Sequence, residues 1–130
     1  MSKSNPSIII GALFALIAVI LGAFGAHALK DSLIHNDSTE TWKTAVDYQM
    51  WHALALILCG LVSTGKRLSL VCVCCFTVGI LLFSGSLYWL SLDGPRWLGP
   101  ITPLGGISLI TGWACLIIEA LSKRSNKAHE

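Results

Sequence analysis

Residues 4–29 read SNPSIIIGALFALIAVILGAFGAHAL, and no side chain between Lys3 and Lys30 carries a formal charge. An α-helix needs about 20 apolar residues to cross the hydrocarbon core of a bilayer. A helix also pairs its backbone groups within a single segment, which is what a medium without water requires. The stretch therefore predicts a membrane-spanning helix near the start of the chain.

Three further uncharged stretches of similar length follow in the remaining sequence. They lie between Asp47 and Lys66, between Arg67 and Asp93, and between Arg96 and Glu119. The 130-residue chain is 54% hydrophobic and 12% charged, whereas soluble domains average about 25% charged residues. So little polar surface cannot cover a water-soluble globule, which makes lipid the expected solvent for most of this protein.

We predict an all-α polytopic membrane protein whose four transmembrane helices form an up-down bundle. Its length allows one domain, residues 1–130. The spans follow from the uncharged stretches and cover residues 7–28, 47–64, 69–91 and 100–121. The turn after the second span is so short that a helical hairpin is expected there.

The distribution of lysine and arginine predicts the orientation, because cytoplasmic loops carry an excess of these residues. One side of the bundle has Lys3, Lys66, Arg67, Lys123, Arg124 and Lys127, and the other has only Lys30, Lys43 and Arg96. We therefore expect both termini in the cytoplasm and the protein in the cell membrane. No basic run with interleaved aromatic residues is present, so the lipid bilayer is the expected partner and nucleic acid is not.

Two segments near the first span have alternative interpretations. Ala26-His27-Ala28 resembles the cleavage site of a signal peptide, but the apolar stretch before it is longer than the usual 7–15 or so residues. We therefore keep it as a span. In residues 30–46, Asp37 and Glu40 fit a capping box, and Trp42 and Val46 recur at helical spacing. This pattern predicts a helix on the outer membrane surface that runs into the second span.

Small residues predict how the spans pack, because helices in lipid associate through close approach at such positions. The sets are Gly11, Ala15, Ala18, Gly22 and Ala26 in the first span, Gly79 and Ser86 in the third, and Gly105, Ser108 and Gly112 in the fourth. The five cysteines all lie in apolar runs, which favours packing over a disulfide framework or a metal site. No cofactor is expected.

Uncharged polar residues concentrate at the predicted outer ends of the spans. They are His27, Tyr48, Gln49, His52, Ser84, Ser86 and Thr102. One hypothesis is an outward-facing polar pocket lined by His27, Gln49 and His52, because polar groups at membrane depth face a partner or a water cavity. The favoured alternative is that these residues hydrogen-bond one another and hold the helices together. A zinc-type shell completed by Asp47 has no known ligand spacing behind it.

Several motifs resemble one known family across nearly the whole chain. They are Gly22–Lys30 (GAFGAHALK), Trp42–Gln49 (WKTAVDYQ), His52–Ala55 (HALA), Phe83–Tyr88 (FSGSLY), Pro100–Gly106 (PITPLGG) and Gly112-Trp113. They resemble the signature of an uncharacterised membrane family, domain of unknown function 423, which includes bacterial YgdD and eukaryotic transmembrane protein 256. The resemblance implies four spans, an inner-membrane location in bacteria and a retained first span, without assigning a role to any residue.

The function expected from the sequence is that of a small non-enzymatic membrane protein, a structural or interaction module, with a homo-oligomer as one form that it can take. No catalytic residue is predicted: Ser84-Gly85-Ser86 is not the Gly-x-Ser-x-Gly elbow, and no strand precedes it. The alternative is a small transporter or a lipid- or solute-binding protein that uses the outward polar pocket.

Overall fold

A computed structural model describes residues 5–62 and 66–127, with side chains for all of these except 66–68 and 122–127. The described chain forms five α-helices: α1 Pro6–Ala26, α2 Lys30–His35, α3 Thr39–Val62, α4 Lys66–Ser91 and α5 Ile101–Lys127. A 3-10 turn, Arg96–Leu98, precedes α5. Within the described ranges, four helical segments are long and apolar enough to span a membrane, namely Pro6–Ala26, Thr39–Val62, Ser69–Ser91 and Arg96–Leu121. The predicted all-α fold with four spans is confirmed.

Residues at the start of α1 fix it against α3. The Asn5 side chain accepts the Ser7 backbone N–H at 3.1 Å and caps the helix, and Pro6 occupies the first turn, where its missing N–H costs nothing. The same Asn5 amide donates to the carbonyl oxygen of Gly60 at 2.7 Å, and the buried Ser7 hydroxyl donates to that of Leu56 at 2.6 Å. The beginning of α1 therefore lies beside the end of α3.

The second span begins eight residues before the predicted position 47. Residues 39–46 are the first two turns of α3, and Trp42 and Ala45 are buried between helices. The predicted helix that runs from this segment into the second span is confirmed for these turns. The capping box on Asp37 is also wrong: Asp37 has a left-handed backbone, φ 48°, and Ser38 precedes the helix. Lys43 and Asp47 ended the uncharged stretch without ending the helix.

The four long helices pack as antiparallel neighbours in chain order, α1 with α3, α3 with α4 and α4 with α5. Glycines set the close approaches: a Cβ on Gly11 would lie 2.7 Å from the Ala53 carbonyl oxygen, and one on Gly112 would lie 2.8 Å from the Phe76 ring. The predicted packing through small residues is confirmed at these positions. Ala26, the last member of the predicted first-span set, is exposed.

The bundle is open along one side. Among the described residues, α1 packs along α3 and α5 packs along α4, and these two outer helices do not pack along each other. The buried core accordingly lies around the inner helices and contains Ala55, Leu56, Cys59, Cys72, Phe76, Ile80 and Leu109. The cysteines are all free thiols, of which Cys59 and Cys72 are buried. In residues 5–62 and 66–127, no group of three metal-ligating side chains comes together.

The connection between α1 and α3 folds over one end of the bundle, which we call the α2 end. Leu33 of α2 is buried there. The Ser91 carbonyl oxygen at the end of α4 accepts hydrogen bonds from the Ser38 hydroxyl at 2.7 Å and from the Asn36 amide at 3.3 Å. These bonds satisfy a carbonyl that the helix end leaves unpaired and join the connection to α4.

Candidate functional site

The His52 imidazole lies in the middle of α3, thirteen residues or about 20 Å from the start of the helix at 1.5 Å per residue. Its Nδ1 lies 2.7 Å from the Tyr48 carbonyl oxygen, and its Nε2 lies 3.0 Å from the indole nitrogen of Trp113 in α5. An indole N–H can only donate, so Nε2 accepts and Nδ1 carries the hydrogen that Tyr48 receives. Both ring nitrogens of His52 are therefore engaged.

Aromatic rings surround this imidazole and form, with it, what we call the His52 cluster. Its members are Tyr48, His52, Phe76, Phe83 and Trp113, with centroid separations of 4.5 Å for Tyr48–Phe83 and 5.2 Å for Phe76–Trp113. Four of the five, all but Phe76, line a groove of about 400 Å³ between α3 and α5. The other lining residues are Trp51, Gly106, Leu109 and Ile110, so the groove is mainly apolar.

Gln49 joins α3 to the first helix rather than to His52. Its side-chain amide is buried and donates to the Phe14 carbonyl oxygen of α1 at 2.9 Å. Gln49 lies about one helical turn before His52, whose side chain bonds to α5. Together these two side chains link α3 to both outer helices of the bundle.

Ser86 and Thr102 form a second polar pair, between α4 and α5. Their hydroxyl oxygens lie 2.6 Å apart, and the Ser86 hydroxyl is also 2.9 Å from the Phe83 carbonyl oxygen. Ser84 is buried on another face of α4, and its hydroxyl has no hydrogen-bond partner among the described residues. The predicted polar residues thus divide into separate contacts instead of lining one pocket.

His27 lies far from the other predicted site residues. It is exposed and caps the end of α1, where its backbone N–H bonds to the Ala23 carbonyl. Gly11 is the α1 residue that packs beside Ala53, so His27 is sixteen residues, or about 24 Å along the helix axis, from the level of His52. The predicted pocket of His27, Gln49 and His52 does not form, because α3 begins earlier than predicted and carries His52 to its middle.

Two tryptophans that the sequence analysis did not place among the site residues hold helices together. The Trp113 indole bonds to His52, and the buried Trp42 indole donates to the Leu21 carbonyl oxygen of α1 at 3.0 Å. The sequence contained a signal for this role, because a tryptophan within an apolar stretch needs an acceptor for its N–H.

One known protein family matches most of this chain. Residues 21–106 match the sequence profile of a family described as "Protein of unknown function (DUF423)". The chain belongs to this family. The matched residues include all of the predicted site residues, whereas Trp113 lies beyond them.

Relatives of this DUF423 chain are similar along almost their whole length. A "UPF0382 membrane protein" of Staphylococcus epidermidis is 45% identical over 115 residues, which cover 88% of this chain and 93% of the relative. The "UPF0382 membrane protein YwdK" of Bacillus subtilis is 42% identical over 117 residues, covering 88% and 94%. No solved structure matches this chain. The DUF423 chain is therefore a membrane protein, and its family carries no assigned biochemical activity.

Proposed function

We propose that this DUF423 protein is a non-enzymatic interaction module of the cell membrane, whose intramembrane polar side chains serve to hold its helices together. The observation that carries the proposal is the His52 imidazole, which has the Tyr48 carbonyl on one nitrogen and the Trp113 indole on the other. A general base needs a free ring nitrogen within reach of its substrate. This imidazole has none to offer.

The remaining polar contacts support the same proposal. The buried Gln49 amide is used between α3 and α1, and the Ser86 and Thr102 hydroxyls are used between α4 and α5. Interhelical hydrogen bonds of this kind contribute about 0.6 to 2 kcal/mol each within a membrane. They stabilise one arrangement of the helices and leave the lipid-facing surfaces to make contacts with other molecules.

We propose that those contacts include self-association through the open side of the bundle. Among the described residues each outer helix packs along one neighbour, α1 along α3 and α5 along α4, and α5 also reaches α3 through the Trp113–His52 bond. A second copy placed along α1 or α5 would give that helix a second neighbour. Both termini lie in the cytoplasm in this proposal, since lysine and arginine are in excess at the end of the bundle that carries them.

Counting subunits in lipid tests the proposal directly. The protein, labelled with one fluorophore per chain, is reconstituted at low density into liposomes, and photobleaching steps are counted per spot. We expect two or more bleaching steps in most spots. Dilution into excess lipid should reduce them to single steps. Single steps at every density would contradict self-association. Turnover of a small-molecule substrate that is abolished by His52→Leu in a folded protein would contradict the non-enzymatic role.

A further inference from the structure

A second cavity lies at the α2 end, away from the His52 cluster. It has a volume of about 210 Å³ and is enclosed by the end of α1, by α2 and by the first two turns of α3. Its lining residues are Gly22, Gly25, Ala26, Leu33, Thr39, Trp42, Lys43 and Val46. Two motifs quoted above, Gly22–Lys30 and Trp42–Gln49, therefore meet at one cavity.

The cavity has a fixed apolar wall. The Trp42 indole is buried, donates to the Leu21 carbonyl oxygen at 3.0 Å and packs edge-on against the Tyr88 ring at a centroid distance of 4.8 Å. A side chain on Gly25 would overlap this indole, so glycine there lets the ring lie against α1. The space beside the ring is therefore preformed and does not depend on a mobile side chain.

The opening of the cavity carries a positive charge. Lys43 lines the cavity and is exposed, and among the described residues no carboxylate lies within 4.0 Å of its ammonium group. Glu40 and Asp47 lie on the same helix three and four residues away, yet neither pairs with it. Thr39 is also in the lining. An apolar recess beside an unpaired ammonium group suits an amphiphile with a negatively charged head.

The cavity lies near the end of the uncharged stretch of α1, where lipid headgroups are expected. The uncharged stretch of α1 ends next to the cavity, and the charged residues Lys30 and Asp31 follow within a few positions. Tryptophan and lysine side chains typically lie at the boundary between hydrocarbon and headgroups, with the lysine stem along apolar surface and the ammonium in the polar layer. Trp42 and Lys43 follow each other in α3 and both line the cavity at this end of the bundle.

We propose that this cavity binds a membrane phospholipid, with the phosphate at Lys43 and the adjoining acyl segment beside Trp42. An ammonium group donates charge-assisted hydrogen bonds to phosphate oxygens. The apolar walls formed by Leu33, Trp42 and Val46 would remove water from a free phosphate ion and offer no hydrogen bonds in its place. This favours a lipid over the free ion. The site is independent of self-association, because it lies within one copy of the chain.

Native mass spectrometry of the full chain tests the site. The protein is released from nanodiscs made of phosphatidylglycerol and phosphatidylethanolamine, and retained phospholipid is counted per chain. Lys43→Ala should lower retention about tenfold, as expected for loss of one charge-assisted hydrogen bond, and Lys43→Arg should restore most of it. Lys30→Ala is the matched control, because Lys30 is exposed at the same end without lining the cavity; it should leave retention unchanged.

A steric pair of variants separates the cavity from the charge. A methyl group on Gly22 would lie 3.4 Å from Val46, so Gly22→Ala folds and narrows the cavity, whereas one on Gly85 would meet nothing within 4 Å. Gly22→Ala should lower lipid retention, and Gly85→Ala should not.

Three results would overturn the proposal. The first is equal retention in Lys43→Ala and Lys30→Ala, and the second is equal retention of diacylglycerol, which lacks the phosphate. The third is displacement of the lipid by inorganic phosphate alone, which would assign the site to the free ion.

Discussion

The indole N–H of Trp113 in α5 donates a 3.0 Å hydrogen bond to Nε2 of His52 in α3, across 61 positions of sequence. The Tyr48 carbonyl holds the opposite nitrogen of the ring, at 2.7 Å, and so orients the imidazole toward α5. Within the bundle, α3 and α5 are both neighbours of α4, and this bond joins them directly. It adds a polar contact between α3 and α5 to the packing of each helix on α4.

The bond between Gln49 and α1 should be measurable as interhelical stabilisation. Gln49→Leu removes the donor to the Phe14 carbonyl oxygen, and we expect the free energy of unfolding in bicelles to fall by about 0.6 to 2 kcal/mol. Thr111→Val is the matched control, because that hydroxyl bonds within its own helix to the Ile107 carbonyl oxygen. Equal losses of unfolding free energy in Gln49→Leu and Thr111→Val would show that the bond between helices stabilises the fold no more than a bond within one helix.

The close packing of α1 on α3 should require a glycine at position 11. A Cβ on Gly11 would lie 2.7 Å from the Ala53 carbonyl oxygen, a backbone atom that cannot move aside cheaply. Gly11→Ala should therefore lower the free energy of unfolding by about 1–3 kcal/mol, the usual cost of overpacking. Gly85→Ala, where a Cβ meets nothing within 4 Å, should be neutral. If thermal denaturation in detergent ranks the two variants the other way round, the packing of α1 on α3 is different.

The sequence predicted the four spans because their lengths and the charges between them are direct consequences of the bilayer. It missed the true start of α3, since Lys43 and Asp47 interrupt the uncharged stretch while the helix continues through them. That error moved His52 toward the membrane surface and produced the supposed meeting with His27. The partner of His52 was missed because no local pattern indicates which of several tryptophans reaches an imidazole 61 positions away.

The distribution of basic residues predicts the orientation of the chain. A reporter enzyme fused after Lys127 and one inserted directly before Lys66 should both be active in the cytoplasm, because those regions carry most of the lysine and arginine. A reporter inserted next to Lys30 should be active on the outer side of the membrane. If the Lys127 and Lys66 reporters map to opposite compartments, the up-down arrangement in the membrane is incorrect.

The most direct test of the account is a double-mutant cycle on His52 and Trp113, measured as the free energy of unfolding in bicelles. His52→Leu alone should cost about 1–3 kcal/mol, because the indole N–H loses its acceptor, and Trp113→Phe alone should also destabilise by leaving Nε2 unpaired. The double variant should be more stable than the sum of the two losses predicts, by about 1 kcal/mol. Losses that add to within about 0.3 kcal/mol would contradict the claim that this bond holds α3 and α5 together.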